Sequence, residues 1–464
     1  MLLSLLIATF FMIPTMHALY YYAWGKQLDW SYFDGPPMIA YFFHISQVLF
    51  GNTYFSINIV GFLCYTLGAY YIYKIGCLFN NRHTGLISVL IWATLPRVVE
   101  SVFIRVTYDA PLNLLTVMSF YYFSRYMIQQ SASDLYRTAF CIAGMILSKF
   151  TALVSILGLL WYVLSRNRAV FKTTHFYVCS LLIIIMIAPM LYWNVQHHWT
   201  TIFYLLNYHS LTSYKISMFQ SFFKLIGDLL ANYSVFLVLA FMGWFKYKTA
   251  VKRTHKTNPF FEFNATVLFV SLAFWFITII FGGAPRTIYF TPIAINIALM
   301  AGYTIDEYQY QRLFQCIFPL FLLVTVGMII GDMPPLSTYL KKDLMYSLTQ
   351  DATHQPGLFK KGQAIVTGSY GSAAVLSFFI PEQPIYALPC GASNQYQYWS
   401  EDFLKTISAK SAQPVTYVDF EDTKQCAESF LKNCKPIATL SKSKTIPLIN
   451  KQTNSVYLYF YRCH

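Results

Sequence analysis

Long apolar segments constrain the fold of this chain more than any other feature. Lipid offers the backbone no hydrogen-bonding partner, so a segment inside a bilayer must pair its own N–H and C=O groups, which favours helices. Only 11% of the 464 residues are charged, whereas soluble domains carry roughly 25%. The pattern predicts a mostly α-helical, polytopic membrane protein. The apolar segments cover residues 2–17, 54–79, 84–104, 111–128, 138–164, 174–193, 216–245, 260–281, 287–304 and 312–330.

The fifth apolar segment contains a lysine in its middle. A single span over residues 138–164 would place Lys149 near the centre of the bilayer, where a charge is costly. Two short helices that meet at residues 148–151 would instead bring the lysine to an aqueous edge. This interpretation predicts a bundle of about eleven membrane helices over residues 1–331.

The first apolar segment has the length and hydrophobicity of a signal peptide as well as of a span. It lacks a basic leading region and a small-residue cleavage site, both of which signal peptides carry. We therefore expect it to be retained as the first membrane helix.

The basic residues indicate an orientation. If the first helix leaves the cytoplasm, thirteen Lys and Arg residues of the bundle lie on the inner side and seven on the outer side, as the positive-inside rule requires. The segment KYKTAVKRTHK, residues 246–256, contributes most to this bias. Because the basic residues fall mainly in short loops, the net charge of +14 does not indicate nucleic-acid binding. We expect a multi-pass protein of the inner (cytoplasmic) membrane.

The hydropathy falls sharply after Gly331. Residues 332–464 are predicted to form a small α/β domain outside the membrane, with short strands at QAIVTG, PIYAL, PVTYVDF and SVYLYFYRC and helices at SAAVLSFFI and DTKQCAESFLKN. Four of the nine cysteines lie in this part of the chain, an even number that suits an oxidising compartment. They are Cys390, Cys426, Cys434 and Cys463.

Acidic residues are rare in residues 1–331, and those on the predicted outer side therefore need an explanation. Asp34 lies in LDWSYFDGPPMIAYF, residues 28–42, and Asp109 lies in IRVTYDAPLN, residues 104–113. The simpler reading of Asp109 is a helix N-cap ahead of Pro111, and that of Asp34 is a turn residue. The alternative is a polar site on the outer face of the membrane.

Cations also gather at the predicted outer ends of helices. Arg97, Arg105, Lys149 and Arg286 stand beside few acids, so they could bind an anion such as a phosphate. Alternatively, their side chains reach the lipid headgroups from helix ends. The sequence has no His/Cys cluster with metal-ligand spacing, no P-loop and no dinucleotide-binding glycine motif, so we predict neither a metal nor a cofactor.

Five motifs in order carry a resemblance to a known family. The sequence YYYAWGKQLDWSYFDGPPMIAYF resembles the first outer loop of GT-C glycosyltransferases of the protein mannosyltransferase and aminoarabinose transferase type, in particular the bacterial glycosyltransferase 39-like proteins. TYDAPLNLL resembles their second-loop motif, and GMILSKFTAL, PMLYWNVQHHW and NQYQYW match later landmarks. The similarity spans nearly the whole chain.

The resemblance implies a GT-C helix bundle that uses a polyprenyl-phosphate-linked sugar as donor. In that family an acidic residue of an outer loop activates the acceptor. Asp34, Asp109, Pro36 and Pro37 match the family motifs, whereas His17 and Ala18 stand where the family has an Asp-Glu pair.

These observations predict an inverting glycosyltransferase with an unidentified acceptor. Catalytic candidates are Asp109, His17 and Asp34; Arg105, Lys149 and Arg286 are predicted to converge on the phosphate, with Tyr20, Tyr21, Pro36 and Pro37 lining the sugar and prenyl site. A non-catalytic protein that binds or flips lipid-linked sugars is the alternative, and the missing first-loop acids favour it. An ion-coupled transporter would need acids within the bundle and internal repeats, and the sequence shows neither clearly.

Overall fold

The computed structural model describes residues 2–204, 217–280, 287–307, 310–331, 341–360, 362–390, 394–400, 414–420, 424–431, 433–445 and 453–463. Helices dominate the first 331 residues, as the apolar pattern predicts. They are α1 (Leu2–Phe11), α2 (Met16–Lys26), α3 (Met38–Phe50), α4 (Tyr54–Phe79), α5 (Arg82–Thr94), α6 (Pro96–Val98), α7 (Asp109–Gln129), α8 (Ala132–Ser148), α9 (Ala152–Arg166), α10 (Thr174–Gln196), α11 (Met218–Thr254), α12 (Pro259–Ile280), α13 (Ile293–Glu307) and α14 (Gln311–Gly331).

Several of these helices can cross a bilayer by themselves. Among the described residues, α4, α10, α11, α12 and α14 are long and apolar enough. Two bent pairs, α1 with α2 and α5 with the segment Pro96–Ile104, meet the same criteria when each is taken as one span. The predicted count of about eleven membrane helices also includes shorter helices of the bundle such as α9.

The predicted break in the fifth apolar segment is confirmed. Helix α8 ends at Ser148 and α9 begins at Ala152, with Lys149 in an extended conformation between them. The backbone N–H of Lys149 still bonds to the carbonyl of Met145. Lys149 therefore completes the last hydrogen bond of α8, although its own backbone is extended. The break therefore frees the lysine side chain to point away from the lipid.

The chain between α6 and α7 is strained. Residues Val99–Ile104 form a π-helical segment that continues α6, a conformation that is rare and often found at functional sites. Val106 follows with φ 43°, which is unfavourable for a β-branched residue. Gly61 of α4 lies against this loop, and a Cβ there would be 2.8 Å from Val106 Cγ2. Close packing against α4 thus holds the strained turn that leads into α7.

The polar C-terminal part forms the predicted α/β unit, which we call the soluble unit (residues 341–463). Its sheet has the strand order β2-β1-β3-β5-β4, with β1, β2 and β3 parallel and β5 antiparallel to both its neighbours. Its elements are α15 (Lys341–Thr353), β1 (Ile365–Thr367), α16 (Tyr370–Phe379), β2 (Ile385–Ala387), α17 (Gln395–Trp399), β3 (Val415–Asp419), α18 (Lys424–Phe430), β4 (Lys435–Thr445) and β5 (Thr453–Cys463). The four cysteines pair as Cys390–Cys426 and Cys434–Cys463.

Three elements of the soluble unit were not predicted: α15, β4 and the short helix α17 within the NQYQYW motif. Helix α15 packs on the sheet through Leu344 and Leu348. Strand β4 has the sequence KPIATLSKSKT, whose lysines mask a strand pattern but suit an edge strand, where charge discourages pairing with other chains.

The soluble unit packs directly on the helix bundle. Phe378 of α16 stacks on Tyr54, with ring centroids 5.3 Å apart, and Tyr346 of α15 donates a hydrogen bond to the carbonyl of Pro14. Buried side chains of α16 and of the membrane helices form one continuous apolar cluster. The two parts of the chain therefore share a core.

Candidate functional site

A tight turn after α2 presents Asp34. Tyr32 and Gly35 close this turn through reciprocal backbone hydrogen bonds, and the ring of Tyr32 stacks on Trp24 with centroids 4.2 Å apart. Pro36 and Pro37 are buried behind it, where their rings fix the backbone without needing donors. The sequence LDWSYFDGPP therefore folds into a rigid support for one carboxylate.

Asp34 is half-buried and accepts a hydrogen bond from Tyr20. The Tyr20 hydroxyl lies 2.9 Å from Asp34 Oδ1. Burial raises the pKa of Asp34 from 3.8 to about 7, although the bond from Tyr20 acts in the opposite direction. A carboxyl with this pKa exchanges a proton near neutral pH, as a general base must.

The soluble unit reaches the same turn through Gln395. The backbone N–H of Gln395 donates to the Tyr20 hydroxyl at 2.8 Å, and its side-chain carbonyl accepts from the N–H of Phe33. Gln395 is buried, and the side chain of Asn394 caps α17 by accepting from Tyr396 and Gln397. The NQYQYW motif thus closes over the loop between α2 and α3.

A third motif joins this site from α10. The indole N–H of Trp193 donates to Asp29 Oδ2 at 2.8 Å, and Trp193 stacks on His197 with centroids 3.9 Å apart. Tyr398 of the soluble unit contacts both rings. The motifs LDW, YWNVQHH and NQYQYW, far apart in sequence, therefore form one contiguous surface.

Asp109 and Lys149 form a buried ion pair. Lys149 Nζ lies 2.8 and 3.1 Å from the two carboxylate oxygens of Asp109, and neither residue is more than 7% exposed. The ammonium also lies 4.5 Å from the ring centroid of Tyr108 and 5.4 Å from that of Tyr289. The cap position of α7 is Tyr108, which makes no side-chain cap bond, so Asp109 does not act as an N-cap.

Arg97 and Arg105 share one acid, Glu100. Each guanidinium has a nitrogen 2.7 Å from a carboxylate oxygen of Glu100. The π-helical turn brings them together, since the N–H of Arg105 bonds to the carbonyl of Glu100, five residues earlier. Arg97 is largely buried and Arg105 remains 40% exposed.

A row of tyrosines joins the two acidic positions. Tyr20 contacts Tyr21, and Tyr21 contacts Tyr108 edge to face, with centroids 5.3 and 5.1 Å apart. Tyr108 in turn lies under Lys149. The structure therefore brings Asp34, Tyr20, Tyr21, Lys149 and Asp109 into one connected region.

Of the remaining predicted site residues, His17 and Arg105 lie at the edge of this region, and Arg286 lies outside the described residues. His17 is exposed on α2, with its ring centroid 6.0 Å from that of Tyr370, and it is near enough to Arg105 for an electrostatic interaction. Arg105 forms an ion pair with Glu100, whereas Lys149 forms one with Asp109. The two cations therefore have different partners. Arg286 lies outside the described residues, so the predicted convergence of three cations stays a prediction.

Sequence reasoning missed the partners of several site residues. The sequence analysis did not identify Glu100 as the residue that joins Arg97 to Arg105. Its spacing of three residues from Arg97 was an available signal, because a helix brings such residues together. Arg105, five residues after Glu100, reaches it only because the turn is π-helical, which the sequence does not reveal. Gln395 lies within a recognised motif, yet nothing in the sequence placed that motif beside Tyr20.

Comparison with known proteins supports the fold. The family model described as dolichyl-phosphate-mannose-protein mannosyltransferase matches residues 34–193. No curated protein gives a significant match to the sequence. Among solved structures, ArnT from Cupriavidus metallidurans in the apo state superposes with a TM-score of 0.69 at 13% identity, covering 99% of this chain and 96% of that chain.

Two further structures show the same architecture. The same ArnT bound to undecaprenyl phosphate gives a TM-score of 0.68 at 14% identity, over 98% of this chain and 96% of that chain. An oligosaccharyltransferase from Archaeoglobus fulgidus gives 0.52 at 10% identity, over 87% and 63%. The resemblance read from the sequence is thereby confirmed: residues 34–193 match the mannosyltransferase family model, and the chain as a whole has the fold of ArnT, with several helices long and apolar enough to cross a membrane.

Proposed function

We propose that this protein transfers a sugar from a polyprenyl phosphate to an acceptor on the extracytoplasmic side of the inner membrane. The observation that carries the proposal is the position of Asp34, a half-buried acid on the outer loop beneath the soluble unit. The GT-C fold and the mannosyltransferase match support the same class of reaction. ArnT bound to undecaprenyl phosphate supports the donor class.

Asp34 is the proposed general base. Its carboxylate would take the proton of an acceptor hydroxyl while that oxygen attacks the anomeric carbon and the bond from this carbon to the phosphate oxygen breaks. The polyprenyl phosphate leaves with the bonding electrons. Asp109 is a weaker candidate for this step, because both of its oxygens contact Lys149. His17 is a second candidate because it is exposed on α2.

Arg105 is the proposed principal contact of the donor phosphate. It is the more exposed of the two arginines on Glu100, and a guanidinium has five N–H donors, so pairing with one carboxylate leaves others free to bind. Lys149 adds a buried positive charge, and Arg286 is the third predicted cation. Such charges stabilise the negative charge that develops on a leaving phosphate.

A non-catalytic role in binding or flipping lipid-linked sugars is the second candidate. The observation that favours it is the absence of acids at the first-loop positions, where His17 and Ala18 stand. Such a protein would bind the lipid without breaking its bond to the sugar.

The test uses the full chain in proteoliposomes with undecaprenyl phosphate and a panel of radiolabelled polyprenyl-phosphate sugars. Cell-envelope extract supplies acceptors. We expect wild-type protein to bind undecaprenyl phosphate and to move label out of the lipid fraction. Asp34→Asn should bind equally well but transfer label about 10²–10⁴-fold more slowly, the usual contribution of a general base.

The control is Asp351→Asn, which changes an exposed acid paired with Lys442 on the soluble unit. Binding without transfer by the wild type, unchanged in Asp34→Asn, would establish the non-catalytic role. Failure of the wild type to bind undecaprenyl phosphate would overturn both candidates.

A further inference from the structure

The soluble unit does more at this site than cover it. Two of its hydrogen bonds end on the residues that support Asp34: one on the Tyr20 hydroxyl and one on the N–H of Phe33, the residue before Asp34. Both come from Gln395, which is 1% exposed. A lid that only excluded solvent would need neither bond.

The bond to Tyr20 has a directional consequence. A phenol has one proton to donate, and its oxygen can accept from a second group. Because the N–H of Gln395 occupies the accepting side of the Tyr20 oxygen, the hydroxyl proton is free to point at Asp34 Oδ1. Hydrogen bonds in a chain also strengthen one another, so a donor on Tyr20 makes Tyr20 a better donor to Asp34.

We propose that Gln395 is a positioning residue of the candidate site, through which the soluble unit directs the Tyr20 hydroxyl to Asp34. The proposal rests on the proposed function only for the use of Asp34 in catalysis; the hydrogen-bonded chain can be tested by itself. It predicts that the transferase site is complete only when the soluble unit is docked.

The surroundings of Asp34 allow the hydrogen-bonded series Gln395–Tyr20–Asp34 to be followed through the titration of Asp34. The titratable groups that face its carboxylate are the phenols of Tyr20, Tyr21 and Tyr108, and Tyr204 lies near Tyr20. Within the described part of the chain no Lys or Arg forms an ion pair with Asp34. A change in the donor strength of Tyr20 should therefore shift the titration of Asp34 without compensation by a nearby cation.

Two variants at position 395 together separate the bond to Tyr20 from the bond to Phe33. Gln395 is the first helical residue of α17, and Asn394 before it is extended, with φ −156° and ψ 172°. Proline is well tolerated at the first helical position, and the residue before a proline favours extended backbone. Gln395→Pro thus deletes both the N–H that reaches Tyr20 and the side-chain bond to Phe33 without breaking α17, whereas Gln395→Ala deletes only the side-chain bond. The difference between the two variants isolates the bond to Tyr20.

The experiment measures the pH dependence of labelling of Asp34 by dicyclohexylcarbodiimide, which reacts with protonated carboxyls, in the purified full chain by peptide mass spectrometry. Wild type should show a labelling midpoint near pH 7. Tyr20→Phe should raise the midpoint by about one pH unit, as expected for a lost hydrogen bond to a charged group. Gln395→Pro should have a midpoint above that of Gln395→Ala by a smaller but clear amount.

Matched controls separate this effect from loss of packing. Gln397→Ala removes a bond from α17 to the carbonyl of Leu388 and should leave the midpoint unchanged, as should Asp351→Asn. The melting temperature of every variant is measured, and labelling is compared at a temperature at which all variants are folded. A midpoint in Gln395→Pro equal to that of Gln395→Ala, while Tyr20→Phe shifts it, would overturn the proposal. Shifted midpoints in a protein that transfers no sugar would keep the positioning role and reject only the proposed function.

Discussion

At Asp34, burial and hydrogen bonding act in opposite directions, and burial is the larger effect. Burial favours the neutral acid, while the bond from Tyr20 favours the carboxylate. The neighbouring phenols add no positive charge. The protein therefore holds a half-buried acid that changes its protonation near neutrality.

This balance predicts a pH-dependent difference in stability between wild type and Asp34→Asn. The pKa is 3.8 for the unfolded chain and about 7 for the folded protein, so wild-type stability falls as pH rises from about 4 to about 7. Asparagine does not ionise and avoids this loss. We expect the melting temperature of Asp34→Asn, relative to wild type, to be higher at pH 8 than at pH 5 in detergent solution. The same offset at both values would contradict the burial of the carboxylate.

The buried pair of Asp109 and Lys149 predicts strongly non-additive mutations. Asp109→Asn leaves a buried ammonium without its partner, and removing one member of a buried pair costs about 3–5 kcal/mol. Asp109→Asn combined with Lys149→Gln removes both charges, so it should recover much of that loss in a double-mutant cycle measured by thermal unfolding. Asp351→Asn, at an exposed pair, should cost at most about 1 kcal/mol. Additive effects of the two single changes would show that the pair does not form.

At the scale of elements, the strained turn before α7 depends on the glycine opposite it. Gly61→Ala would place a Cβ 2.8 Å from Val106 Cγ2 and 2.9 Å from the carbonyl of Phe103, so the loop or α4 must move. We expect a lower melting temperature and, because Asp109 begins the next helix, weaker sugar transfer. Gly327→Ala on α14 is the matched control, since nothing lies within 4 Å of its Cβ and alanine favours helix by about 1 kcal/mol. Equal melting temperatures for the two variants would contradict the close packing of α4.

Helices and strands could be predicted from the sequence where a single local property of the residues determines the backbone conformation. The break at Lys149 follows from the cost of a charge in lipid, and four of the five strands follow from short β-branched and aromatic runs. Strand β4 was not predicted because its lysines are unusual in a strand. They suit an edge strand, and the position of β4 at the edge is known only from the strand order of the sheet. Likewise Asp109 and Lys149 were both recognised, but their pairing depends on the packing of α7 against α8, which no local pattern specifies.

For the whole molecule, the charge distribution and the disulfides predict one orientation. Cys390, Cys426, Cys434 and Cys463 pair within the soluble unit, and disulfides persist outside the cytoplasm. After mild reduction of intact cells, a membrane-impermeant thiol reagent should label these four cysteines. Labelling of their peptides only after lysis would reverse the orientation and place the site on the cytoplasmic face.

The shared core of bundle and soluble unit has a consequence for biogenesis. Gln395 and Tyr20 are separated by 375 positions in the chain, and at about 5–20 residues per second of synthesis that gap lasts roughly 20–75 s. During this interval α2 is already made, while the segment that buries it has not yet been synthesised. The nascent protein must therefore keep an aromatic, partly polar surface without its cover, and the candidate site is completed only when the last quarter of the chain has been made and has docked on the bundle.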